Sequence, residues 1–164
     1  MFLLFALLVT AQEKNIFDIA RSGTLAEMKL AFKTNPESIN SLNENQSSTL
    51  ILACYRGNIE VAKFLIENIK DINYNSGMGT ALMGAVYKNQ IELVKLLLEK
   101  KANPNLTDAN GTTALILAVQ ISNFELTKLL LKYNSDKTIK TKDGKTAFEF
   151  AVFAGNEEII NILK

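Results

Sequence analysis

Between Thr80 and Lys100 the chain reads TALMGAVYKNQIELVKLLLEK, with apolar side chains returning every three or four residues. Leu82, Ala85 and Val86 fall on one face of a helix expected over about 80–88, opened by Thr80 as a cap for its unpaired amide groups. Asn89 suits a left-handed stop. A second helix is expected over about 91–100, burying Ile91, Val94 and Leu97. A polar loop follows, KANPNLTDANG, whose residue types favour tight turns.

The same sentence is written again along the chain. Ala53, Ala85, Ala118 and Ala151 are spaced by 32, 33 and 33 residues. Ser48, Thr80, Thr113 and Thr146 keep their phase as caps, and Gly57 and Gly155 stand near the phase of Asn89. Glu60, Glu92, Glu125 and Glu158 recur together with Val61, Leu93, Leu126 and Ile159. The stretch IFDIARSGTLAEMKLAF, residues 16–32, fits one step earlier. Two short helices cannot hide enough apolar surface between themselves to offset the entropy of ordering a unit, so each unit must lean on its neighbours. The expected architecture is an all-α solenoid of about five helix-turn-helix units.

These blocks resemble the ankyrin repeat family. NGTTALILAV, NIEVAKFLIEN, QIELVKLLLEKKANPN and DGKTAFEFAVFAGNEEIINIL follow the family pattern closely, and residues 16–42 resemble its N-terminal capping unit. The resemblance covers 16–164 and implies an ankyrin-repeat solenoid: a cap at 16–42, three full repeats at 43–74, 75–107 and 108–140, and a truncated C-terminal repeat at 141–164. The chain departs from the pattern in three ways. Thr49, Ala81, Ala114 and Ala147 replace its proline. Ile51, Met83, Ile116 and Glu149 replace its histidine, so histidine-mediated loop bonds cannot form. Ile69, Lys101 and Asn134 stand where it has a glycine, and Gln46 where a finger glycine is expected. The early part of the stack is therefore expected to be the least regular.

The resemblance also implies where a partner would bind, namely the concave face lined by loop tips and by the exposed ends of the first helices. By position these helix-end residues are Arg21, Tyr55, Arg56, Tyr87, Lys88, Gln120, Ile121 and Phe153. Tyr55, Arg56, Tyr87 and Lys88 form the expected centre, because rigid aromatics make strong contact area at modest entropy cost. The competing reading is that the two tyrosines merely fill the first-helix layer.

Composition narrows the chemistry. Net charge is +1 and charged residues make up 21%, which lacks the basic excess of a nucleic-acid binder. There is no histidine and one cysteine, Cys54. Disulfides within the chain, Cys/His metal clusters and histidine-based nucleophile pairs are thereby excluded. Cys54 reads as a buried hydrophobe. Glu60–Lys63, Glu92–Lys95 and Glu125–Lys128 read as surface ion pairs three residues apart, not as acid/base machinery. Phe148, Phe150 and Ile162 are expected to leave an apolar edge on the last unit, a second docking or dimer surface. No catalytic, cofactor or metal residues are assigned.

The first residues differ in kind. MFLLFALLVTAQ is an unbroken apolar run through Val9 followed by small residues, too short to span a bilayer but suited to a secretory signal cut after Ala11. A short linker is expected at 12–15. The run lacks a basic segment ahead of it, which leaves open a retained N-terminus on a cytoplasmic or membrane-tethered scaffold. The functional expectation is a monomeric, non-catalytic protein-binding module, periplasmic or secreted, with an unidentified protein partner, no nucleic acid and no small-molecule substrate.

Overall fold

The computed structural model describes residues 14–164; the expected signal segment, 1–11, lies outside them. Among the described residues ten α-helices follow one another in five pairs. They are α1 (Ile16–Ser22) with α2 (Leu25–Thr34), α3 (Thr49–Arg56) with α4 (Ile59–Asn68), and α5 (Ala81–Tyr87) with α6 (Ile91–Glu99). Then come α7 (Ala114–Gln120) with α8 (Phe124–Lys132), and α9 (Ala147–Ala154) with α10 (Glu157–Leu163). A 3₁₀ turn at Pro36–Asn40 follows α2, and the sole extended pairing among the described residues is an isolated antiparallel bridge between Leu42 and Ser48. Odd-numbered helices pack on odd, and even on even, in chain order, giving an inner and an outer layer. This is the expected solenoid.

Local chemistry sets each helix start. The side chains of Ser48, Thr80, Thr113 and Thr146 accept hydrogen bonds from the backbone N–H groups of Ile51, Met83, Ile116 and Glu149. Thr24 and Thr146 complete capping boxes with Glu27 and Glu149. Lys14 pairs with Glu27 at 3.0 Å and Asn15 caps α1, so the described end of the expected linker is tied to the first unit. Inner helices end in left-handed residues at Gly57, Asn89, Ser122 and Gly155. Lys101 and Asn134 also adopt positive φ, at 70° and 61°, and Gln46 does so in its finger, at 57°. Ile69 escapes that requirement: its φ is −77°, extended backbone that a β-branched residue accepts readily.

Alanine recurs at one phase because the inner helices leave no room for more. Ala53, Ala85, Ala118 and Ala151 are completely inaccessible to solvent. α3 and α5 approach closely at Gly84, where a Cβ would lie 3.1 Å from the Tyr55 nitrogen. Leu65, Leu93, Leu97, Leu126 and Leu130 seal the two layers together.

The loops are stitched by asparagine rather than histidine. Asn40, Asn73 and Asn105 each accept, through Oδ1, a backbone N–H from the next unit, that of Lys70 (3.0 Å), Asn103 (2.7 Å) and Asp136 (2.7 Å). Neighbouring fingers add backbone bonds, Ala109 N–H to Gly77 O at 2.7 Å and Lys142 N–H to Asn110 O at 2.8 Å.

The charged stripe corrects one expectation. Glu60–Lys63 closes at 3.3 Å, but Lys95 turns to Glu99 at 3.8 Å, and Glu125–Lys128 forms no ion pair among the described residues. The shortest pairs run between units instead, Lys70–Glu37 and Lys100–Glu67, both at 2.6 Å and both spanning 33 residues. Stacked units bring such positions as close as adjacent helical turns. Exposed pairs are each weak, so sequence spacing along one helix does not decide the partner.

Candidate functional site

The exposed ends of the inner helices line one side of the stack, and there Tyr55 and Tyr87 meet face to face. Their ring centroids are 5.0 Å apart and their planes differ by 5°. Each residue nonetheless stays half-exposed, 49% and 52%. The rings therefore do both things weighed above, packing on each other across a unit boundary while presenting an aromatic surface.

Beside this stack lies a hollow of about 430 Å³. Ile51, Leu52, Met83, Gly84 and Leu117 supply apolar wall, Arg56 a cation, and Met78 a flexible thioether from the finger tip. Met78 is 82% exposed and stands where the later fingers carry Gly111 and Gly144. It was not among the expected site residues. The signal that could have found it is a large apolar side chain in a slot that both later fingers fill with glycine. Asp108 also borders the hollow, but its Oδ1 accepts the N–H groups of Asn110 (2.8 Å) and Thr112 (2.9 Å), which commits it to its own turn.

Arg56 closes the last turn of α3, and Lys88 is the C-cap of α5. The two cations sit at the ends of successive inner helices, and the Lys88 side chain runs back over the previous unit, its Cε 4.0 Å from where a Cβ on Gly57 would lie. Among the described residues neither has a carboxylate within ion-pair distance. Cations at helix C-termini gain a modest dipole interaction, which explains their tolerance but leaves their charge outward. Arg21 differs. Its Nη1 donates to Asp18 Oδ1 at 2.9 Å, so it is held on α1 and does not line the hollow.

Of the remaining predicted residues, Gln120 and Phe153 line a second, more open hollow of about 750 Å³ over the last unit, with Phe150 and Val152, and Ile121 lies outside its lining. Phe153 is 91% exposed, Val152 52%, and Ile121, the C-cap of α7, 39%. The apolar edge expected at Phe148, Phe150 and Ile162 is thereby corrected: those three are half-buried, and Val152 and Phe153 are what the solvent meets. Inward-leaning side chains of a terminal unit still find the preceding helix to pack on, whereas those at the helix end do not.

A model of ankyrin repeats in three copies matches residues 16–108 and 82–164, spanning all ten helices. The chain belongs to the ankyrin repeat family. No curated protein matches it significantly along its length. Ankyrin repeats are in general protein–protein interaction modules, and the family is typically a non-enzymatic scaffold. No group of three or more His, Cys, Asp or Glu residues that could hold a metal occurs among the described residues. Cys54 is fully buried, and burial pushes its thiol far above the ordinary range, so at neutral pH it is a protonated, packed side chain and not a thiolate. No helix among the described residues is long and apolar enough to cross a membrane.

Proposed function

We propose that this ankyrin stack is a non-catalytic binding module, monomeric on its own, that grips a protein partner on its concave face over the Tyr55–Tyr87 pair. The observation that carries the reading is a half-exposed aromatic stack beside an apolar hollow with an outward-facing cation, a combination that costs solvation unless something covers it. Neither nucleic acid nor a small-molecule substrate enters this reading, and no cofactor is required.

Export completes it. The apolar first residues act as a secretory signal removed after Ala11, placing the domain in the periplasm or outside the cell. The test has two arms. Co-purification from the native host should recover a partner with the wild-type chain and lose it with Tyr55→Ser/Tyr87→Ser; equal recovery by both refutes the site. N-terminal mass spectrometry of the native protein should begin at Gln12; an intact Met1 moves the module to a cytoplasmic or membrane-tethered scaffold.

A further inference from the structure

The concave face changes character along its length, and the change specifies what kind of partner fits. In the second and third units its helix ends carry Arg56 and Lys88, exposed cations on successive units, neither with a carboxylate within ion-pair distance among the described residues. In the fourth and fifth they carry Gln120, Ile121 and Phe153, uncharged and exposed, and Val152, uncovered at the end of the stack, lines the same hollow as Phe153. The charges bordering that apolar end are already engaged: Glu149 closes its capping box with Thr146, and Lys145 Nζ sits 5.9 Å over the Phe150 ring.

We infer that the occupant is an extended acidic–apolar segment of a partner protein, lying along the stack with its carboxylates over Arg56 and Lys88 and a bulky apolar side chain over Val152 and Phe153. This rests on the binding reading above and adds the partner's chemistry and direction. Two inner-helix steps separate Lys88 from Phe153, α5 to α7 to α9. At about 8–10 Å per step that is roughly 16–20 Å. An extended chain covers it in about five or six residues. The Tyr55–Tyr87 stack and Met78 lie beside the acidic end, where a ring or thioether tolerates varied side chains flanking the carboxylates.

Panning a random dodecapeptide display library on the full chain tests this. The enriched peptides should carry a pair of Asp or Glu separated by about five or six residues from Phe, Trp, Leu or Met. A synthetic peptide drawn from that pool should weaken about tenfold or more on Arg56→Glu/Lys88→Glu, and keep its affinity on Arg56→Lys/Lys88→Arg. Phe153→Ser should weaken it with its salt dependence unchanged. All three sites are exposed, and unchanged circular dichroism and melting temperature certify each variant as folded. An enriched pool that is neutral or basic, yet still lost on Tyr55→Ser/Tyr87→Ser, overturns the acidic–apolar assignment while leaving the concave site standing. Peptides whose binding ignores the tyrosines overturn both.

Discussion

The tyrosine pair offers a quantitative test because it stands between two energetic roles. Truncating a fully buried aromatic to alanine costs about 3–5 kcal/mol. Tyr55 and Tyr87 are 49% and 52% exposed, so about half of each residue is removed from water. Tyr55→Ala and Tyr87→Ala should then each destabilise the domain by about 1.5–2.5 kcal/mol. An offset stack contributes about 0.5–1.5 kcal/mol beyond burial, and it can be lost only once. The double variant should therefore cost less than the sum of the singles by that amount, and remain folded at room temperature. Urea unfolding followed by far-UV circular dichroism and by tyrosine fluorescence supplies the four corners of the cycle, and coincident transitions license the two-state treatment. A coupling within about 0.3 kcal/mol of zero would show that the rings do not stack. Single losses above about 4 kcal/mol would make them core filler and remove the energetic basis of the groove.

Three further outcomes follow from the packing. Asn105→Ala deletes the acceptor of the Asp136 N–H and the donor to Asn134 O, and should cost about 1–3 kcal/mol with faster hydrogen exchange at Asp136; unchanged exchange there would show that the asparagine ladder does not couple the units. Cys54 should resist aromatic disulfide reagents in the native state and react on unfolding; prompt native labelling would contradict its burial. The Thr146 side chain and backbone hold the Glu149 carboxyl below its ordinary range, with Lys140 and Lys145 nearby. A carboxylate lowered in the folded state stabilises it above the ordinary glutamate range and loses that contribution as pH falls through the lowered value. An NMR titration should place Glu149 below an unfolded-peptide glutamate and Thr146→Ala should raise it; an unmoved titration would refute the capping-box cause.

The repeat was legible because small residues and caps sit where stacking leaves no alternative. Ala85 is wedged between helices and Thr80 must satisfy an amide, so their period is the period of the fold. The concave positions followed from that phase once the resemblance to the ankyrin family said which helix ends face a partner. What the sequence did not reveal depends on which way side chains turn. Nothing in the spacing of Tyr55 and Tyr87 says whether the rings stack or splay, or that Arg21 turns back to Asp18. Contacts between units were written in the chain at intervals of 32 and 33, in Asn40, Asn73 and Asn105 and in Glu37 with Lys70, but a helix-by-helix reading pairs Lys95 with the wrong glutamate.

A photo-reactive phenylalanine analogue placed at position 87, and separately at Lys95 on the outer layer, tests the binding account most directly when both chains are irradiated in the native host. Crosslinks to a partner from position 87 and none from position 95 are the expected result. Crosslinking from 95 alone would move the working surface to the opposite side of the stack and contradict the account.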